Sequence, residues 1–252
     1  MALTQDQLDF FTANGYLSCG KILNDDEIAV LRAEYDAIFE RANAEGTYND
    51  LAQGSEAKGD GGKPKPRMLQ IMNVCERSIV FRKLIYDKRI VDILADLMGP
   101  NIMLYHDQAL FKPAFHGGPV YWHQDNAYWH CRPANLVSCW MTLDDVTREN
   151  GAMQVIPGSH LKPVWHNTSG STDKLLDIEG GIDTAKAVVV DLPAGGCMFH
   201  HCQTLHYTQP NTTPNQRRAF AIHCMQPGTE VDHDGKRVTL RAGFDHPVLR
   251  AV

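Results

Sequence analysis

The sequence predicts a mainly β fold braced by helices, and three observations predict it. Helical periodicities with cap signals crowd into the first hundred residues. From Ile102 onward, short runs rich in Ile, Val, Leu, Tyr and Trp alternate with Gly, Pro and Asn, the pattern of a sandwich or barrel. The composition, 43% hydrophobic and 21% charged over 252 residues, is that of an ordinary globular chain.

The first helix starts at Thr4, an N-cap with Gln7 three residues on, buries Leu8 and Phe11, and stops at Asn14-Gly15. Asn24, Asp25 and Asp26 cap a second helix, whose Ile28, Leu31, Tyr35, Ile38 and Phe39 recur at helical spacing to about Ala42. Residues Gly46 to Pro66 are rich in Gly, Lys, Ser and Asp and read as a mobile loop. Apolar residues from Ile79 to Leu97 predict a third helix or helix pair ending at Gly99-Pro100. Strands follow at Ile102 to Phe111, Val120 to Trp122, Leu136 to Leu143, Ala152 to Ile156, Ala187 to Asp191, Cys197 to His200 and Arg217 to Met225. The polar stretch Leu161 to Thr184 reads as an insertion over the mouth of the barrel. One elaborated domain over 1–252 results: a helical bracing region with its loop to 100, a β core over 101–226, and a polar tail over 227–252.

Several function classes drop out. The net charge is −6 with basic residues scattered, and the densest basic stretch, Lys58 to Arg67, is broken by Gly and Pro, so nucleic acid is not an expected partner. No apolar run reaches the ~18–20 residues of a membrane span, and Asp6, Gln7 and Asp9 stand where a secretory signal would be apolar, which places the chain in the cytoplasm. Seven cysteines, an odd number with no CxxC pair, support neither a disulfide framework nor a four-cysteine zinc site and read as small buried hydrophobes.

Among twelve histidines, His123 alone has an acid two residues later, Asp125. Twelve histidines and thirty acids would give such a pair by chance, so its setting matters more than its spacing. On a strand, positions i and i+2 share a face, and both side chains could then reach one cation. Two imidazoles and a carboxylate on one face of a metal leave positions open, which suits Fe(II) that must also take oxygen and an organic co-substrate. The second imidazole would come from a neighbouring strand, where the segment PAGGCMFHHCQTLHYTQPN offers His200, His201 and His206.

At this point the residues resemble a family. FFTANGYL, FKPAFHGGPVYWHQD, TLDDVTRENGAMQVIPGSH and the segment from Pro193 to RRAFAIHC, in that order, are similar to the phytanoyl-CoA dioxygenase group of Fe(II)/2-oxoglutarate-dependent oxygenases. The resemblance implies a double-stranded β-helix (jelly-roll, cupin-like) core with the N-terminal helices packed on one sheet. It implies iron ligation by His123, Asp125 and His206, with Arg217, eleven residues after His206, as the clamp on the far carboxylate of 2-oxoglutarate and Arg218 as its competitor. A guanidinium suits that task because it grips a carboxylate through two parallel hydrogen bonds. It further implies that Gln108, Trp140 and Thr208 contact the co-substrate. In the same group ENGAMQVIPGSH is a structural turn, so His160 is not expected as a ligand. His106, His116 and His130 lie near the presumed site, but as ordinary core or surface residues. No role suggests itself for His233 and His246.

The implied activity couples decarboxylation of 2-oxoglutarate to succinate and CO2, using O2, with hydroxylation or a related C–H oxidation of a small to medium organic substrate. Similar halogenases carry a small residue where this chain has Asp125, so the intact carboxylate points to hydroxylation. Asn126, Tyr128 and Trp129 just after the motif, with Trp122, are expected to wall a partly aromatic substrate site under the two loops. Nothing in the sequence indicates a coenzyme A thioester. Two other readings stand beside this one: a non-oxidative cupin-like isomerase or hydrolase using the same His/Asp/His site, which would need no arginine clamp, and a silent binding protein on the same barrel.

Overall fold

The computed structural model describes residues 2–51, 67–164, 166–167, 177–178, 181–233 and 235–252. Helix α1 (Gln5–Asn14) opens with the expected capping box, in which the Thr4 hydroxyl accepts from the Gln7 N–H and the Gln7 side chain accepts from the Thr4 N–H. It ends on Gly15 at φ 76°, where a side chain would also strike the His160 ring at 2.4 Å, so both conformation and space call for glycine. Helix α2 (Asp25–Glu45) starts on an Asn24–Glu27 capping box and runs three residues past the sequence estimate to a left-handed Gly46 cap.

The first hundred residues hold more strand than periodicity suggests. β1 (Tyr16–Lys21), β2 (Asn49–Asp50) and β3 (Leu69–Met72) all join the main sheet, with α3 (Val74–Arg77), α4 (Ile79–Ile85) and α5 (Lys88–Met98) following. The expected mobile loop falls largely on residues 52–66, outside the described residues. The core strands sit close to expectation: β4 (Ile102–Lys112), β5 (Val120–His123), β6 (Val137–Thr142), β7 (Met153–Val155), β10 (Val188–Val190), β11 (Gly196–His201), β12 (His206–Thr208) and β13 (Arg217–Met225). A short helix, α6 (Asn126–Trp129), follows β5. Of the 161–184 insertion, the short pair β8 (His166–Asn167) and β9 (Asp177–Ile178) is described. The last segment, expected as a polar tail, instead forms a hairpin of β14 (Glu230–His233) and β15 (Lys236–Thr239), then β16 (Val248–Arg250), which pairs with β4. The hairpin buries Val231 of β14, while β15 is exposed along its length.

The main sheet runs β1-β11-β6-β13-β4-β3-β2, and a second sheet runs β10-β7-β12-β5. One face of the main sheet buries Phe199, Phe220, Ile222, Cys139 and Met141 against Ile28, Leu31 and Tyr35 of α2, Phe81 of α4 and Ile90 of α5, so the helices brace it as the pattern predicts. The opposite face packs Trp140, Met198, Ala219 and Ala221 against Met153 and Val155 of the second sheet. All seven cysteines are free, six of them buried.

Side-chain alternation sets the inner face of the main sheet out in rows. His200, Ser138, His223 and His106 pair across β11, β6, β13 and β4 at one level, and Met198, Trp140, Ala221 and Gln108 form the next level. Further along the same strands, Arg217 of β13 lies opposite Lys112 of β4.

Candidate active site

His123 ends β5 and faces His206 of β12, its direct partner across the second sheet. Their rings lie 4.1 Å apart between centroids. The imidazole Nδ1–H of His123 donates to the Tyr121 carbonyl at 2.7 Å, and that of His206 to the Thr204 carbonyl at 2.9 Å. Both rings are thereby fixed with the Nε2 lone pair aimed inward, the tautomer a metal requires. Asp125 Oδ1 lies 3.5 Å from Nε2 of His123 and 3.6 Å from Nε2 of His206. Ligand atoms of these three buried residues all fall within 4.8 Å of one another, and no other such group of His, Cys, Asp or Glu occurs among the described residues.

The geometry corrects the route to this trio while keeping its members. Asp125 is not two positions along a strand from His123: β5 has ended, and Asp125 adopts helical angles (φ −53°, ψ −38°) as the residue before α6. Gln124 makes the turn rigid. Its N–H donates to His166 Nε2, its side-chain amide donates to the Gln203 carbonyl at 2.6 Å, and its side-chain oxygen accepts from the Val164 N–H. The Nε2 of His166 is therefore engaged and not available to a cation.

The electrostatics suit a divalent ion. Burial pushes the His206 imidazole down to about 3, so the ring is neutral at ordinary pH. Burial alone would raise Asp125, but the imidazoles around it outweigh that and hold its carboxyl well below the usual range. Neutral imidazoles beside an ionised carboxylate are the protonation states that bind metal.

At the other end of the inner face, Arg217 is fully buried. Its Nη1 donates to the Leu110 carbonyl at 3.1 Å, its guanidinium lies 5.8 Å from the Trp140 ring, and its Nε has no partner. No carboxylate pairs with it among the described residues, and burial depresses it from 12.5 to about 10. Arg218, one position on, points the opposite way and is held by Asp36 and Asp144 on the helical side. Thr208 is buried with an unpartnered hydroxyl, and its carbonyl accepts from Lys112 Nζ. Arg217 Nε and the Thr208 hydroxyl are thus two buried donors without a partner, a chemistry suited to a carboxylate.

The family model described as phytanoyl-CoA dioxygenase (PhyH) matches residues 11–219. The chain belongs to this family. Among curated relatives, the phytanoyl-CoA dioxygenase of Arabidopsis thaliana is 26% identical over 89% of each chain. The peroxisomal phytanoyl-CoA dioxygenase of Mus musculus is 29% identical over 88% of this chain and 68% of its own. Among solved structures, the epimerase SnoN from nogalamycin biosynthesis, in complex with Fe3+, alpha ketoglutarate and nogalamycin RO, superimposes with a TM-score of 0.77 at 22% identity over 98% of both chains. That likeness establishes the jelly-roll fold.

Within this family member the remaining expected residues scatter. Trp140, expected at the co-substrate, lies with its ring 5.8 Å from the Arg217 guanidinium. Gln108 lies on the same floor but is occupied: its amide nitrogen reaches His223 at 2.9 Å and its oxygen accepts from Gln70. Tyr128 stands edge-on to His123 with ring centroids 5.7 Å apart, at the exposed rim. Trp129 packs edge-on against His106 and His223. Asn126 is the first residue of α6, and its side-chain oxygen accepts from the Cys131 N–H beyond the helix end. Trp122 does not line the site. It precedes His123 on a strand, so it faces the other side and stacks on Tyr207. His160 hydrogen-bonds the Thr12 carbonyl and tethers α1, consistent with a structural motif.

Sequence reading passes over Ser138, His223 and Lys112. Lys112 is fully buried and donates to the carbonyls of Gly118, Thr208 and Gln209 at 2.7, 3.2 and 2.6 Å. Burial and the adjacent Arg217 charge push it well below its ordinary value. An apolar strand ending in lysine was the available signal, since β4 would otherwise place a charge in the core.

Proposed function

We propose that the protein is an Fe(II)- and 2-oxoglutarate-dependent oxygenase that oxidises a C–H bond of a small to medium organic substrate, with hydroxylation as the outcome. The observation that carries this reading is the pairing of a preorganised His123/Asp125/His206 trio with a buried Arg217 that has no carboxylate partner among the described residues. A non-oxidative metalloenzyme would not need that cation. The named activities of relatives, among them ectoine dioxygenase and hypophosphite dioxygenase, support the oxygenase class and not any one substrate.

In this reading iron is held by His123, Asp125 and His206. Arg217 and Thr208 grip the far carboxylate of 2-oxoglutarate, with Trp140 and Gln108 on the floor beside them. Bound iron supplies the activation of oxygen that couples loss of CO2 from 2-oxoglutarate to substrate oxidation. The chain's own residues do the rest. Tyr121 and Thr204 carbonyls orient the imidazoles, the Gln124 turn fixes Asp125, and apolar Met198, Ala219 and Ala221 keep water from the floor. Tyr128 and Trp129 border the substrate. We place the reaction in the cytoplasm, since free thiols suit a reducing compartment.

The test is an anaerobic titration of metal-free protein with Fe(II) and then 2-oxoglutarate, following the visible charge-transfer absorption of the chelated keto acid. The band should appear in the wild type and vanish in His206→Ala. Bound metal without a band would move the weight to a non-oxidative metalloenzyme.

A further inference from the structure

The carboxylate of Asp125 is held from both sides. While Oδ1 faces His123 and His206, Oδ2 lies 3.1 Å from His200 Nε2 and 3.3 Å from Ser138 Oγ. These donors belong to the row His200–Ser138–His223–His106 beneath the trio.

The direction of each hydrogen bond follows from donor chemistry. The amide nitrogen of Gln108 can only donate, so His223 Nε2 accepts from it and the ring carries its hydrogen on Nδ1. That hydrogen goes to Ser138 Oγ at 2.7 Å, which frees the Ser138 hydrogen for Asp125 Oδ2. Gln70 starts the same chain by donating to Gln108. Every link from β3 to β6 therefore points at one carboxylate oxygen. His200 adds a second donor, and its Nδ1 is left buried without a partner. A buried acceptor without a donor is unfavourable, and an apolar side chain would avoid it. The Nε2–H to Asp125 is the contact that gives a histidine a purpose there.

We propose that His200 and Ser138 are positioning residues that hold Asp125 as a one-oxygen metal ligand, keeping open a coordination position that a chelating carboxylate would close. This rests on the metal-site reading above. Outer hydrogen bonds of this kind commonly shift metal affinity or activity by about 10–100-fold when removed. Here they also decide how many positions remain for co-substrate and oxygen.

Manganese(II) alone is the probe, with the bound waters counted by paramagnetic-resonance line broadening in oxygen-17-enriched water. Wild-type protein should show metal-bound waters, and the His200→Phe/Ser138→Ala double variant should hold Mn(II) with one fewer, because the released Oδ2 turns onto the metal. Ser138→Ala alone, a minimal change that keeps the row packed, should shift the count in the same direction. His200→Gln, which restores a donor, should return towards the wild-type count. An unchanged count in the double variant overturns the proposal. Mn(II) binding that survives His206→Ala overturns the metal-site reading itself, and this proposal with it.

Discussion

Replacing Arg217 by methionine should make the metal-free protein more stable and nearly abolish its grip on 2-oxoglutarate. The guanidinium is fully buried with no carboxylate partner among the described residues, and burial lowers it from 12.5 to about 10. At ~1.36 kcal/mol per unit, the charged form is disfavoured in the fold by about 3 kcal/mol. Methionine fills similar space. Its gain is offset by loss of the bond to Leu110 and the contact with Trp140, together about 1–2 kcal/mol. A net gain of about 1–2 kcal/mol remains, a rise of roughly 2–8 °C in melting temperature for a domain of this size. The co-substrate should suffer in the opposite sense. Truncating one partner of a buried, hydrogen-bonded charge pair costs about 2–5 kcal/mol, or about thirty-fold to several thousand-fold in affinity. Scanning calorimetry of the metal-free variant and anaerobic isothermal titration of the iron-loaded one with 2-oxoglutarate read the two effects. A lower melting temperature with 2-oxoglutarate affinity preserved would refute the reasoning and return Arg217 to an ordinary strand residue.

The trio gives a direct counterpart: Asp125→Ala and His206→Ala should each stay folded by circular dichroism and lose stoichiometric iron, and full retention of iron in both would sink the assignment. Acid should destabilise the metal-free fold. His206 titrates near 3 in the fold against an ordinary ~6.5, so the unfolded chain takes up its proton first; the contribution is complete above about pH 6.5 and is lost as pH falls towards 3, by about 1.4 kcal/mol per unit. His223, depressed in the same direction, adds to it. Urea titrations at pH 7 and pH 5 measure this, and equal stability at both would contradict the neutral, buried rings. Lys112→Met should have the reverse sign to Arg217→Met, because three carbonyls lose their donor: about 2–4 kcal/mol of destabilisation in urea, against which a change under about 0.5 kcal/mol would count.

How much of this was legible in the sequence depended on how local the cause is. Caps and alternation are local, so Thr4, Asn24 and the limits of β13 could be read directly, whereas Arg217 and Arg218 stayed competitors until the structure turned Arg218 to Asp36 and Asp144. The same rule, applied to β11, turns His200 inward and His201 away, where it meets His160. It misleads at Asp125, because β5 ends at His123, two residues short of it. β1 was missed because a six-residue run that buries only Tyr16 and Leu17 carries little periodicity. The polar row could not be read at all. Ser138 and His223 are 85 residues apart, and only the register of β6 against β13 brings them together.

That row also explains why a site with so many histidines holds its ionic character at two ends. Near the trio the inner face carries the ionised Asp125 carboxylate beside His206, which burial keeps neutral, while at the far end Arg217 and Lys112 sit opposite each other. Lys112 is satisfied by three carbonyls and Arg217 is not, so the two buried cations play different parts. One ties β4 to β12, and the other keeps a buried nitrogen without a partner. A dicarboxylic keto acid bridging the face would place one negative end on the metal and the other on Arg217, neutralising both ends together. Each end then strengthens the other, so iron should tighten 2-oxoglutarate binding and 2-oxoglutarate should tighten iron by the same factor. Because both ends are buried, that coupling should change little with ionic strength, unlike attraction between surface charges.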